Sequence, residues 1–191
     1  IIFMLVAGFD TVQIDMHLST TIRTAYKIRD KLVECIDMET IPRIGGEGQI
    51  VQLDETAICR GRIISNPSSE IDDIPGVQWI IGGVVTGYPF ECFMVLVPNR
   101  TAATVLGILE RYVMQGSVLR SDGHRSYPPA ASNFGSIHQV VPHVEGFRNQ
   151  EGQTTNEIEG LWASFKHKYK ARNGLLKERI PYFISEFLWK K

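Results

Sequence analysis

Three carboxylates in this chain are spaced so that a fold could gather them. Asp54 closes the apolar run QIVQLDET, Asp122 closes SVLRSD, and Glu159 lies in the first turns of TTNEIEGLWASFKHKYK. Three carboxylates held close repel one another unless cations lie between them. Hard oxygen donors in a partly open site suit Mg²⁺ or Mn²⁺. Two such ions about 4 Å apart serve in-line displacement at phosphorus, where an attacking and a leaving oxygen must both be stabilised. Taken singly, each acid has a plainer use: a strand-end aspartate makes a turn, and a glutamate near a helix N-terminus answers the macrodipole. The joint placement is what points to phosphodiester chemistry, with Asp54, Asp122 and Glu159 as ligands of two ions.

The segment 154–170 carries more than its glutamate. Thr154 or Thr155 suits a helix N-cap, and Ile158, Leu161, Trp162, Phe165 and Tyr169 make one apolar stripe at helical spacing. Asn156, Glu159 and Lys166 fall together on a flank of that stripe, because residues three and seven apart lie close in angle. Glu159 can then face the ions while Lys166, two turns on, faces a phosphate. Asn156 is the alternative third residue; the carboxylate is preferred because it contributes more to divalent-metal binding than an amide. Lys168, Lys170 and Arg172 continue the positive charge, as a groove for a DNA backbone requires, although a solvated basic face is the alternative for Lys168 and Lys170. Arg60 and Arg62 follow the first acid and are further candidates for phosphate contact. Glu55 and Glu157 are expected to point away. His124 reads as a structural hydrogen-bonder, His138 and His143 lack metal-ligand spacing to cysteine, and Trp79 and Trp162 read as core.

The elements that must position these residues follow from pattern. The run STTIRTAYKIRDKLVECI has 3/4 apolar spacing with Ser19 as a cap, and TVQIDMHL before it reads as a shorter helix. The pair resembles a helix-turn-helix whose second helix offers Arg23 and Lys27, with Thr20, Thr21 and Thr24, to DNA; a plain helical hairpin is the equal alternative. PRIGGEGQ is a natural boundary, giving a helical region over 1–44 and a second domain over 45–191. QIVQLDET, VQWIIGGVVTG and ECFMVLVP read as three strands, the last two joined through a Gly-Tyr-Pro turn, with RGRIISNPSSEIDDIPG as a loop or hairpin after the first. TAATVLGILERYVM is a helix capped by Thr101 with Ala103, Leu106, Ile108, Leu109 and Val113 at helical spacing, SVLRSD a strand, IHQVV another, and PHVEGFRNQEGQ a loop before the helix of 154–170. Three strands in a meander followed by alternating helix and strand is the order of a ribonuclease H-like α/β fold. That order makes the strands of Asp54 and Asp122 neighbours.

Composition narrows the class without naming it. The 191 residues are 43% hydrophobic and 21% charged with a net charge of −1, so nucleic-acid binding must come from local basic patches. Cys35, Cys59 and Cys92 are odd in number and far apart, which argues against a disulfide scaffold or a zinc site. The opening IIFMLVAGF is too short to span a membrane and has no basic flank, and the chain reads as a piece that begins inside a helix.

QLDET at 52–56, GGV at 82–84, VPNRTAATVL at 97–106, SDGHRSY at 121–127 and above all PHVEGFRNQEGQTTNEIEGLW at 142–162 carry a resemblance, joined by the FLWKK ending. The chain resembles the catalytic core of the Merlin superfamily of cut-and-paste DNA transposases, which is related to a group of bacterial insertion-sequence transposases. The resemblance implies a ribonuclease H-like fold and an Asp-Asp-Glu triad of Asp54, Asp122 and Glu159, with Lys166 as the basic residue seven after the glutamate. It implies double-stranded DNA, both transposon terminal inverted repeats and target, as partner, and a homodimer or larger assembly on it. The expected location is nuclear in a eukaryote and cytoplasmic in a bacterium. Two rivals stand beside it: a nuclease of the same fold without strand transfer, and a DNA-binding relic that no longer cuts.

Overall fold

A computed structural model describes residues 1–36, 41–64, 76–141 and 155–191. In chain order the elements are α1 (Ile2–Val6), α2 (Thr11–Leu18), α3 (Ile22–Glu34), β1 (Ile50–Cys59), β2 (Arg62–Ile64), β3 (Val77–Val85), β4 (Tyr88–Val97), α4 (Ala102–Tyr112), β5 (Val118–Ser121), α5 (Tyr127–Phe134), β6 (His138–Val140), α6 (Asn156–Lys170) and α7 (Ile180–Trp189). They divide into two compact units, Ile1–Thr40 with Glu178–Lys191, and Ile41–Lys177.

The first unit is helical. Asp10 caps α2 through Val12 and Gln13 amides while the Gln13 side chain accepts from the Asp10 amide, a reciprocal capping box. Ser19, read from sequence as the cap of the next helix, instead ends α2 in the left-handed region (φ 46°), and Thr21 caps α3 by accepting from the Thr24 amide. The two hydroxyl residues lie two apart, and the one that follows the tight turn takes the cap. Leu5, Ile14 and Ala25 form the buried centre of α1–α3. The terminal helix, grouped from sequence with the second domain, packs on α3 in this unit, and Arg179 at its start pairs with Asp30 of α3 at 2.8 Å.

The second unit is a mixed sheet of order β4-β3-β1-β5-β6, with β2 paired to the far end of β1. β1, β3 and β4 form the antiparallel meander; β5 and β6 add in parallel on the other side of β1, as the sequence order requires. This is a ribonuclease H-like arrangement: a six-stranded mixed sheet flanked by helices. β1 is central and buried on both faces. Val51, Leu53 and Ala57 join Val105, Leu109, Ala130 and Phe134 of α4 and α5 in one core, while the alternate residues Gln52, Asp54 and Thr56 look to the opposite face, on which α6 packs.

Gly82 and Gly83, opposite Asp54 and Leu53 on β1, are required by close approach. A Cβ at Gly82 would lie 2.8 Å from Trp162 Cζ2 of α6, and one at Gly83 would collide with the Phe93 ring. The two glycines thus let large rings lie on the sheet. Three sequence expectations shift. β1 continues past Asp54 to Cys59, because Ala57, Ile58 and the β2 pairing extend it, so Asp54 stands within the strand and not at its end. Tyr88 and Pro89 belong to β4, an edge strand that tolerates proline, and the turn is Thr86-Gly87. The buried stripe of α4 is Val105, Ile108 and Leu109, with Ala103 exposed. Of the long segment after β1, residues 65–75 lie outside the described residues, as do 142–154, which include His143 and Thr154.

Candidate active site

Parallel pairing sets the first two acids side by side. Gln52 on β1 is in register with Arg120 on β5; two residues further along each chain come Asp54 and Asp122. Asp54 is half-buried on the α6 face, and its carboxyl is held well above the usual carboxylate range. Burial is the main cause, followed by the negative charges of Glu55 and Asp122, while a backbone hydrogen bond from Glu55 and the Lys166 ammonium pull the other way. The structure therefore brings Asp122 and Lys166 within electrostatic reach of Asp54. His138, on β6, feels the same aspartate: burial lowers its pKa against the pull of Asp122, and its Nε2 meets Ser121 Oγ at 2.9 Å.

The α6 helix is fastened at its N-terminus by a residue the sequence reading passed over. Gln52 is fully buried; its Oε1 accepts from the Ile158 amide at 3.1 Å, and its Nε2 donates to Thr86 Oγ1 and to the Glu157 carboxylate. Glu157 thus turns toward Gln52 of β1. The stripe Ile158, Leu161, Trp162, Phe165 and Tyr169 is buried throughout, as its spacing requires. Thr155 stands at the N-cap position, but its hydroxyl donates to Glu159 Oε1 at 2.9 Å instead of capping an amide. Asn156 is exposed; Glu159 and Lys166 are half-buried.

Among the described residues, no group of three or more His, Cys, Asp and Glu side chains is close enough together to hold a metal ion. Asp54 and Asp122 are gathered, and Glu159 stands outside that pair on the same side of the sheet as α6. The chemistry of the gathered donors nevertheless fits a hard divalent cation. A carboxylate whose charge is disfavoured by burial and by neighbouring carboxylates, as that of Asp54 is, is what such an ion neutralises.

A third cluster lies at the opposite end of α6. The β1–β2 turn, Arg60-Gly61, is left-handed at both residues (φ 49° and 73°), which suits a two-residue hairpin turn. Tyr169 donates its hydroxyl to the Gly61 carbonyl at 3.1 Å, and the Leu175 amide donates to the same oxygen at 3.3 Å. Burial pushes the Tyr169 phenol up to about 12. A Cβ at Gly61 would strike the Leu175 carbonyl, so the turn can seat here only as glycine. The result is a cleft of about 490 Å³ with Arg62, Lys170, Asn173 and Tyr169 among its lining. Arg60, Arg62 and Lys170 are exposed, Arg172 half-buried. Arg23 and Lys27 are exposed on one face of α3 in the first unit.

The other face of β1 holds a site no sequence pattern announced. Glu55 is buried there, accepting from Arg100 Nη1 at 2.8 Å and from the Tyr127 hydroxyl at 2.6 Å. Arg100 also lies over the Trp79 ring, 4.0 Å from its centroid. His124, expected to be structural, donates its amide to Asp122 Oδ1 at 3.0 Å and meets Ser126 Oγ through Nδ1 at 2.8 Å. The signal that could have exposed Glu55 was its place beside Asp54 in a strand otherwise apolar on that face.

The family model of the ISXO2-like transposase domain matches residues 69–191, a span that contains Asp122, Asn156, Glu159 and Lys166 and begins after Asp54. An uncharacterized transposase-like protein of Haemophilus influenzae is 29% identical over 101 residues, covering 52% of this chain and 80% of that protein. No helix among the described residues is long and apolar enough to cross a membrane. With the match spanning more than half of the chain, the protein belongs to the ISXO2-like transposase domain family.

Proposed function

We propose that this domain is the catalytic core of a cut-and-paste DNA transposase, akin to the Merlin superfamily within the wider group of insertion-sequence enzymes. The observation that carries the reading is the Asp54–Asp122 pair, with Asp54 on β1 and Asp122 just past the end of its parallel neighbour β5, where burial and the charges of Glu55 and Asp122 disfavour the Asp54 charge and Lys166 of α6 acts the other way. Asp54 and Asp122, with Glu159 as third residue and Asn156 as its alternative, would hold Mg²⁺ or Mn²⁺. Bound there, two such ions supply charge neutralisation at the attacking and leaving oxygens. Glu159 is preferred because it is a half-buried carboxylate already oriented by Thr155, whereas Asn156 faces solvent.

The chain's own part is positioning. Lys166 holds a non-bridging phosphate oxygen near the aspartates, and Arg60, Arg62, Lys170 and Arg172 hold backbone phosphates along the cleft at the far end of α6. Water attacks phosphorus at the transposon end and the P–O3′ bond breaks, giving a 3′-hydroxyl and a 5′-phosphate. The 3′-hydroxyl then attacks a target phosphodiester, forming one P–O bond as another breaks, so no external energy source is needed. Joining two ends calls for a dimer or larger assembly on DNA, with Arg23 and Lys27 of α3 as further DNA contacts.

A labelled duplex carrying the element's terminal repeat, incubated with Mg²⁺ or with EDTA, tests this. Metal-dependent nicking followed by strand-transfer product is expected for wild type, with both lost in Asp122→Ala. Nicking without transfer would mean a nuclease, and binding without nicking would mean a DNA-binding relic.

A further inference from the structure

Three of the sequence motifs meet away from the acids they accompany. Glu55 comes from QLDET, Arg100 from VPNRTAATVL and Tyr127 from SDGHRSY, and all three are buried in one hydrogen-bonded group on the α4/α5 face of the sheet. Burying a carboxylate, a guanidinium and a phenol together is costly unless every group is bonded. Buried ionic groups often add no more stability than an apolar core would, so the group's use is to be sought in what it holds.

What it holds is the loop of Asp122. Among the described residues, no strand pairing fixes the backbone between the end of β5 at Ser121 and the start of α5 at Tyr127. The anchors run in series. Glu55, next to Asp54 in sequence, accepts from the Tyr127 hydroxyl; the Tyr127 amide donates to the His124 carbonyl at 3.0 Å; the His124 amide donates to Asp122 Oδ1 at 3.0 Å. Arg100, stacked on Trp79 of β3, fixes the second Glu55 oxygen. A continuous series of bonds therefore runs from one aspartate to the other through the back of the sheet.

We propose that Glu55, Arg100 and Tyr127 are positioning residues that set the separation of Asp54 and Asp122. The inference rests on the function proposed above. None of the three touches substrate; each acts through the aspartates. Carboxylates held at a fixed spacing bind a cation without first having to be ordered, and partners one step removed from metal ligands typically change affinity or activity about 10- to 100-fold when lost.

Tyr127→Phe is the informative variant, since it deletes one hydroxyl and keeps the ring; Glu55→Ala and Arg100→Ala strand a buried charge and can fail to fold. Phe134→Leu, in the same helix but away from the carboxylates, serves as a stability control. Three quantities are read for each: Mn²⁺ affinity of the protein alone by calorimetric titration, affinity for the terminal-repeat duplex, and nicking rate. Tyr127→Phe is expected to weaken Mn²⁺ binding and slow nicking by about 10-fold, with duplex affinity within twofold of wild type and the control unchanged in all three. Losses shared equally by Phe134→Leu, or Mn²⁺ affinity and rate within twofold of wild type in Tyr127→Phe, would overturn the inference while leaving the transposase reading intact. Wild type that neither binds Mn²⁺ nor nicks would remove that reading, and this inference with it.

Discussion

Two neighbouring carboxylates on β1 meet opposite fates. Glu55 points to the α4/α5 face, where a guanidinium and a phenol satisfy both of its oxygens. Asp54 points to the α6 face, where burial and the charges of Glu55 and Asp122 outweigh a backbone bond and the Lys166 ammonium. A carboxylate compensated inside the chain is a structural part; one left under-compensated beside a second carboxylate is poised for a ligand from outside. The same strand supplies both because its side chains alternate, and one residue of register would exchange their roles.

That contrast can be broken in order of expected effect. Glu55→Ala removes the partner of a buried arginine and should destabilise the fold by about 3–5 kcal/mol, read as a fall in the urea midpoint at constant slope. Gly82→Ala pushes a methyl into Trp162 and lifts α6 from the sheet, for about 1–3 kcal/mol by the same measurement. Asp54→Asn should do the reverse in metal-free protein. A raised folded-state pKa means that the native state holds the Asp54 proton more tightly than the unfolded chain. Its favourable contribution is therefore complete below about pH 4, the ordinary aspartate range, and is lost as pH rises through the folded value. Wild type should lose stability over that interval, and Asp54→Asn should lose less and be the more stable protein at neutral pH. The smallest effect belongs to the far cleft. Arg62→Ala with Lys170→Ala should lower the slope of log K against log salt for duplex binding by about 2, with the folded state untouched.

Much of this was legible in the sequence where local period decides. The meander, the parallel pairing of β1 with β5, and the buried stripe of α6 follow from alternation and from 3.6-residue spacing. Asp54 and Asp122 were legible because strand order alone makes their strands neighbours. Gln52 and Glu55 were not. Their partners lie 34, 105 and 106 residues away for Gln52, and 45 and 72 for Glu55, and no periodicity reports a polar side chain's distant partner. The two inner glycines were visible as GGV, but their reason, rings of Trp162 and Phe93 lying on the sheet, appears only once α6 is docked. Ser19 misled because two hydroxyl residues compete for one cap, and a left-handed turn decided between them.

Thermal unfolding titrated with Mn²⁺ asks most directly whether the Asp54–Asp122 pair binds a divalent cation, as proposed above. In wild type the midpoint should climb with Mn²⁺ as a binding isotherm, since an ion that binds only the native state stabilises it by mass action. In Asp54→Asn and in Asp122→Asn the climb should vanish, although the Asp54→Asn protein starts from the higher midpoint. An equal climb in all three proteins, or none in wild type, would contradict the account.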